Sequence, residues 1–412
     1  MRIGANGFCS RISVKTWAVS WLLGGAIMVS SASAQEPPAA VEAPPAPTAE
    51  MLPQLHLLEP FWSSDVAHRE SVFFVQEEGK PTASARLYYP AKKILAIHSS
   101  DGRTVYELGR DLELSPDGNK LTVIRGAKVP HIQAAEMFPA AGAPRSISHQ
   151  AGDPTRHVLF ENGRWFHDQQ VEVTYQHDEE SWPGVVPQFS DKQLPKTIAK
   201  LRAGEPVTVA VSGDSISVGG NASGPVKAPP GMPAFPELVA AQLEEHYGSK
   251  VDLKNRAVGG WTAQNGSDDL GELLAVNPDL VIIAYGMNDV GYRNPEFYRQ
   301  TIASMLDRVH QANPAAEVIL VSTMLGNPQW APTPAEMFPL YRDALASLTA
   351  PGVVLADVTA LWQQLLTRKE TLDVIGNGVN HPNDFGHRLY AQAILAMLVD
   401  PASRDDRAKQ SD

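Results

Sequence analysis

The sequence predicts an α/β fold in its C-terminal half: a parallel sheet flanked by helices, flavodoxin-like in type, preceded by an all-β segment. Two observations carry this. Beyond Gly204 short apolar runs alternate with segments of helical spacing, the pattern of strands buried on both faces by crossover helices. Before residue 200 the runs are short, β-branched or aromatic and separated by turn residues, with no helical period, as in a jelly-roll-like β-sandwich.

Residues 1–34 read as a signal peptide. Arg2, Arg11 and Lys15 precede a short apolar stretch, Thr16–Ser30, and Ala32-Ser33-Ala34 supplies a small-residue cleavage pattern before Gln35. As an uncleaved anchor the stretch is shorter than the roughly 20 residues a membrane span needs. The expected destination is the periplasm or the medium. Residues 35–54, rich in Pro, Ala and Glu, read as an extended linker.

The predicted β-sandwich domain occupies 55–200. Its strand-like runs are Ser71–Val75, Ser84–Tyr89, Ile94–His98, Lys120–Ile124, His157–Phe160 and Val171–Tyr175. Asn162-Gly163, between HVLF and RWFH, has the residues of a type I′ turn and predicts a hairpin. Trp165 and Trp182 read as core. The second domain, 201–400, begins with the strand Val207–Val211. Strands at Val251–Lys254, Leu280–Ala284, Val318–Val321 and Val353–Leu355 follow, with helices at Pro236–His246, Pro295–Ala312, Pro334–Leu348, Thr359–Leu366 and Phe385–Leu398. Residues 401–412 form a polar tail.

A net charge of −12 over 412 residues disfavours a nucleic-acid partner, which selects a basic face. The single cysteine, Cys9, lies in the leader, so the mature chain holds no thiolate nucleophile, disulfide or thiolate metal site. There is no His-Glu-x-x-His, and His381 and His387 are six apart, not one helix face. No metal or cofactor is expected, and His387 reads as part of a solvated helix side.

Four segments at strand ends bear residues suited to chemistry. Gly213-Asp214-Ser215 follows the first strand of the second domain, where open α/β sheets place ligands. Gly259-Gly260-Trp261 follows the second, and a backbone N–H there can face a developing oxyanion. Gly286-Met287-Asn288-Asp289 closes the third, and an Asn side chain is a neutral donor. Asn377 to Asp384 precede the last helix, with His381 before a Pro at the helix entrance. Taken singly, each also reads as a turn or a helix cap.

In this order the segments resemble the four signature blocks of the SGNH (GDSL-like) hydrolase superfamily over about residues 204–400, the matching positions being Ser215, Gly260, Asn288 and His381. The resemblance implies a serine esterase with Ser215 as nucleophile and His381 as general base. Its oxyanion donors would be the Ser215 and Gly260 amides and the Asn288 side chain. One departure stands out: the family usually has Asp three residues before the histidine, and Gly378 occupies that position. Asn377, Asn380, Asp373, Asp384 or a backbone carbonyl remain open as the group that orients the imidazole.

A leader, a β-sandwich and an SGNH domain together resemble bacterial carbohydrate esterases that remove acetyl groups from polysaccharides. The expected substrate is then an acylated carbohydrate, with Trp261 and Trp330 as sugar-stacking or core-edge residues. An O-acyltransferase on a glycan and a catalytically decayed glycan-binding protein are the alternatives.

Overall fold

The computed structural model describes residues 50–178 and 182–403. The predicted leader, most of the linker and almost all of the polar tail lie outside the described residues. The linker's last residues lie inside them. Leu52–Leu55 form a helical turn with both leucines buried, so chain read as extended spacer is already core there.

Five parallel strands form the central sheet, in the spatial order Val251–Asn255, Val207–Gly213, Leu280–Ala284, Glu317–Val321 and Val353–Ala356. This is the 2-1-3-4-5 order of a flavodoxin-like doubly wound sheet. The two central strands after the first are buried at every position, because helices cover both faces. Those helices include Phe235–Tyr247, Ala263–Leu274, Pro295–Ala312, Val358–Leu365 and Asp384–Leu398. The last is buried along its whole length, wedged between the sheet and the N-terminal β segment. His387 is therefore fully buried, which corrects its reading as a residue of a solvated helix side.

The N-terminal segment forms three antiparallel or mixed sheets. Gln170–His177 lies between Val66–Phe73 and Ala91–Ser99. A five-stranded sheet runs Leu112–Leu114, Lys120–Val123, Ser84–Arg86, Val75–Gln76, Ile132–Gln133, and Ser146–Gln150 pairs with Asp153–Leu159. The predicted hairpin at Asn162-Gly163 is not formed. The His157 strand pairs backwards with Ser146–Gln150, and Trp165–Gln169 is a short helix. Alternation of apolar residues over so few positions does not separate a strand from a helical turn. Trp182 packs on the main core and Trp165 on a smaller satellite cluster around Phe73, Leu159 and Phe166.

One continuous cluster of buried side chains joins the β segment to the α/β part, from Leu52 to Val399. A buried charge cluster crosses the same junction. Lys369 Nζ lies 2.7 Å from Glu70 Oε1 and 3.3 Å from Asp373 Oδ2, with all three side chains almost wholly excluded from water. Burial works against the ammonium, but Asp373 and Glu70 outweigh it and hold its pKa above the ordinary value. Asp373 Oδ1 also accepts the Phe73 amide at 2.7 Å. No helix among the described residues is long and apolar enough to cross a membrane.

Candidate active site

Ser215 begins the Ser215–Val218 helix directly after the Val207–Gly213 strand. Asp214 caps it, its Oδ1 accepting the Ile216 amide at 2.9 Å. The turn from strand to helix leaves Ser215 half-buried at the carboxyl edge of the sheet. Its own N–H heads the helix and has no partner within it.

His381 arrives from the far end of the chain. The loop that carries it is organised by Asn377, whose Oδ1 accepts the amides of Val379, Asn380 and His381 at 3.0, 2.9 and 3.1 Å. The imidazole Nε2 lies 2.9 Å from Ser215 Oγ. Its Nδ1 lies 2.7 Å from Asn221 Oδ1. Burial, and secondarily His387, pull the His381 pKa down from 6.5 to about 4. The ring is therefore neutral near pH 7 and able to accept a proton.

Asn221 escaped the sequence reading. It lies six residues after Ser215, behind Gly219-Gly220, in a left-handed backbone conformation (φ 61°) that Asn tolerates better than most residues. That Gly-Gly-Asn string was the available signal. Of the groups left open as orienters, none touches the imidazole through its side chain. Asn377 is spent on its own loop, Asn380 Oδ1 accepts from Asn377, Asp373 binds Lys369 and the Phe73 amide, and Asp384 accepts the Ser223 amide.

Position 378 has no room for a side chain. Gly378 has φ +86°, and a Cβ there would overlap the Leu159 carbonyl and come within 2.6 Å of the Phe166 ring. The N-terminal segment thus occupies the space a side chain at 378 would need. Gly220 packs equally close under the His381 ring: a Cβ on it would lie 2.7 Å from His381 Nδ1. The Gly220 carbonyl accepts from His387 Nε2 at 3.2 Å.

The other two segments flank Ser215. Val258 donates to the Gly213 carbonyl at 3.1 Å, which brings the Gly259-Gly260 turn beside Ser215; a Cβ on Gly259 would lie 3.8 Å from Ser215 Cβ. Gly260 itself is exposed. Asn288 Nδ2 donates to the Trp261 carbonyl at 2.8 Å, which fixes the amide orientation and leaves its second N–H for another acceptor. Asp289 Oδ1 accepts the Ala263 amide at 3.0 Å and so ties the Asn288 and Gly260 segments together. Trp261 is half-buried against the core. Trp330 is held by its indole N–H, which donates to the Ser148 carbonyl at 3.1 Å.

Among the described residues one trio, His56, Glu59 and His68, gathers potential metal-ligand atoms. The two imidazoles stack with centroids 3.5 Å apart and planes 8° from parallel, so their in-plane lone pairs do not converge on a common ion. Glu59 accepts from both rings instead.

Residues 211–389 match the GDSL-like Lipase/Acylhydrolase family. No curated protein matches the chain. Among solved structures, a two-domain esterase active on acetylated mannans is 22% identical over 55% of this chain, with a TM-score of 0.40. This chain spans only 56% of that esterase's length. An acetylxylan esterase from Geobacillus stearothermophilus is 20% identical over 46% of this chain and 92% of its own, TM-score 0.36. A carbohydrate esterase family 3 protein from Talaromyces cellulolyticus is 21% identical over 46% and 94%, TM-score 0.36. Likenesses at this level assign no substrate to this chain.

Proposed function

We propose that the protein is an exported serine esterase that removes short acyl groups, acetyl above all, from a polysaccharide, a reading supported by the match of residues 211–389 to the GDSL-like Lipase/Acylhydrolase family. The observation that carries the reading is the 2.9 Å contact from Ser215 Oγ to His381 Nε2, with the opposite ring nitrogen already engaged.

In this mechanism Ser215 Oγ bonds to the ester carbonyl carbon while its proton passes to His381 Nε2. The carbonyl oxygen takes up the negative charge and is met by the Ser215 and Gly260 amides and the free N–H of Asn288. The intermediate collapses, the sugar oxygen leaves with the proton from His381, and an acyl-serine remains. Water then attacks it, giving its proton to His381, and acetate departs as Ser215 regains a proton. No metal or cofactor enters any step.

The N-terminal β segment is read as a small sandwich spanning about residues 55–200, and Trp261 beside the oxyanion glycine is read as a platform for a sugar ring. Trp330 offers only a ring face, since its N–H is committed. The leader read at residues 1–34 supports a destination in the periplasm or the medium. An O-acyltransferase would use the same first half-reaction, with a sugar hydroxyl in place of water. The intact Ser215–His381 contact speaks against a decayed binding protein. The test is hydrolysis of p-nitrophenyl acetate and of acetylated xylan and mannan by the purified protein, with Ser215→Ala abolishing all of it. Absence of turnover on every short acyl ester overturns the proposal.

A further inference from the structure

We propose that Asn221 is the positioning residue for the catalytic base, and that the main chain of the N-terminal β segment, at Asn162 and Gly163, locks it in the orientation it needs. This deepens the serine-esterase reading and rests on it.

The argument begins with an amide that has two ways round. Asn221 is buried. Its Nδ2 lies 3.0 Å from the Asn162 carbonyl and 3.3 Å from the Gly163 carbonyl. Both are pure acceptors, so the NH2 side of the amide faces them; the flipped amide would set an oxygen against two oxygens. Oδ1 is then the atom presented to His381, 2.7 Å from Nδ1. A carbonyl oxygen cannot donate, so the proton of the neutral imidazole sits on Nδ1. Nε2 is left with its lone pair aimed at Ser215 Oγ, the tautomer a general base requires.

The orientation of the base therefore derives from a segment some fifty residues before the nucleophile. That segment, from Leu159 to His167, touches the catalytic loops repeatedly. The Leu159 carbonyl and Phe166 press on Gly378, Glu161 donates to the Asn377 carbonyl at 3.2 Å, and His167 Nε2 donates to the Pro229 carbonyl at 2.7 Å. It behaves as a strap across the loops bearing both Asn221 and His381. The strap excludes a side chain at 378 and fixes a neutral partner from the other side. His381 thus works with an amide in place of an anion. His387 is the titratable group that bears on the imidazole from the helix beneath it.

The experiment compares wild type, Asn221→Ala, Asn221→Asp and Ser215→Ala in kcat, KM and the pH dependence of kcat/KM on p-nitrophenyl acetate, with thermal melts alongside. Asn221→Ala should lower kcat about 100-fold, the order expected for a misplaced reacting group, with KM little changed. Asn221→Asp places an anion against Nδ1, which favours the imidazolium, so the acid limb of kcat/KM should move up by at least about one pH unit. The same carboxylate faces the two carbonyls without a proton to give them, so its melting temperature should fall. A folded Asn221→Ala with wild-type kcat, or an Asn221→Asp whose acid limb does not move, overturns the proposal while Ser215→Ala remains inactive. Activity that survives in Ser215→Ala overturns the serine reading itself, whatever Asn221 does.

Discussion

Gly220→Ala tests how closely the base is packed. Gly220 has an ordinary negative or extended backbone conformation, since it is absent from the positive-φ glycines, so alanine meets no backbone penalty there. The obstacle is the imidazole, with Nδ1 2.7 Å, Cε1 2.9 Å and Cγ 2.9 Å from the added methyl. Atoms in ordinary contact sit roughly 3.5–4.0 Å apart, so the ring must move by about 0.8 Å. It is held at one end by Asn221 and from below by Gly220, whose carbonyl is fixed by His387. A displacement of that size in a catalytic pair costs on the order of 100-fold in kcat. Overpacking costs about 1–3 kcal/mol of stability, partly offset by roughly 0.4–1 kcal/mol from the stiffer unfolded chain. Steady-state kinetics on p-nitrophenyl acetate, with melting followed by circular dichroism, should show a folded protein with kcat down about 100-fold and KM nearly unchanged. A folded Gly220→Ala with wild-type kcat would refute this account of the site.

Asn288→Ala removes the proposed oxyanion donor and should lower kcat by about 10²–10³ without altering KM much; an equal rise in KM at constant kcat would assign it to substrate binding instead. His381 keeps its proton acceptor free down to about pH 4, so the kcat/KM profile should stay level through pH 6.5, where an ordinary histidine is half protonated, and fall only below that range. Burial raises the Asp214 carboxyl from 3.8 to about 7. Its contribution to stability is full below its unfolded value and is lost as pH rises through about 7. Asp214→Asn, which can still cap the Ile216 amide, should therefore lose less melting temperature than wild type between about pH 4 and pH 7. Lys369→Met leaves Glu70 and Asp373 buried without their cation and should cost about 3–5 kcal/mol, read by urea denaturation.

The α/β part was legible because its signals are local. Apolar strands such as LVIIA and the long period of Pro295–Ala312 dictate their own structure, and the latter helix forms over the predicted residues. The shorter helix Ala263–Leu274 went unread because Gly266 and Ser267 interrupt its apolar stripe. Gly266 fits there because Tyr285 packs onto it from the neighbouring strand. The site divides the same way. Ser215, His381, Gly260 and Asn288 lie in recognisable strings, and the structure brings Ser215 to His381 and Gly259-Gly260 to Ser215. Asn221 has only the short Gly219-Gly220-Asn221 string, which reads equally as an ordinary turn. Its position follows from two carbonyls and an imidazole contributed by segments remote in sequence, and such convergence leaves no periodic trace. Asn162-Gly163 misled for the same reason: a good turn dipeptide was serving as a pair of hydrogen-bond acceptors.

The strap from Leu159 to His167 also bears on how the protein can be cut or lose its proposed activity. A shortened chain starting near residue 201 would retain the whole parallel sheet, yet its base loop would lose one wall and its Asn221 would be free to rotate. Heating should act in the same way: once the strap lifts, Ser215 and His381 lose their alignment, so inactivation and melting of the N-terminal segment should proceed as one event.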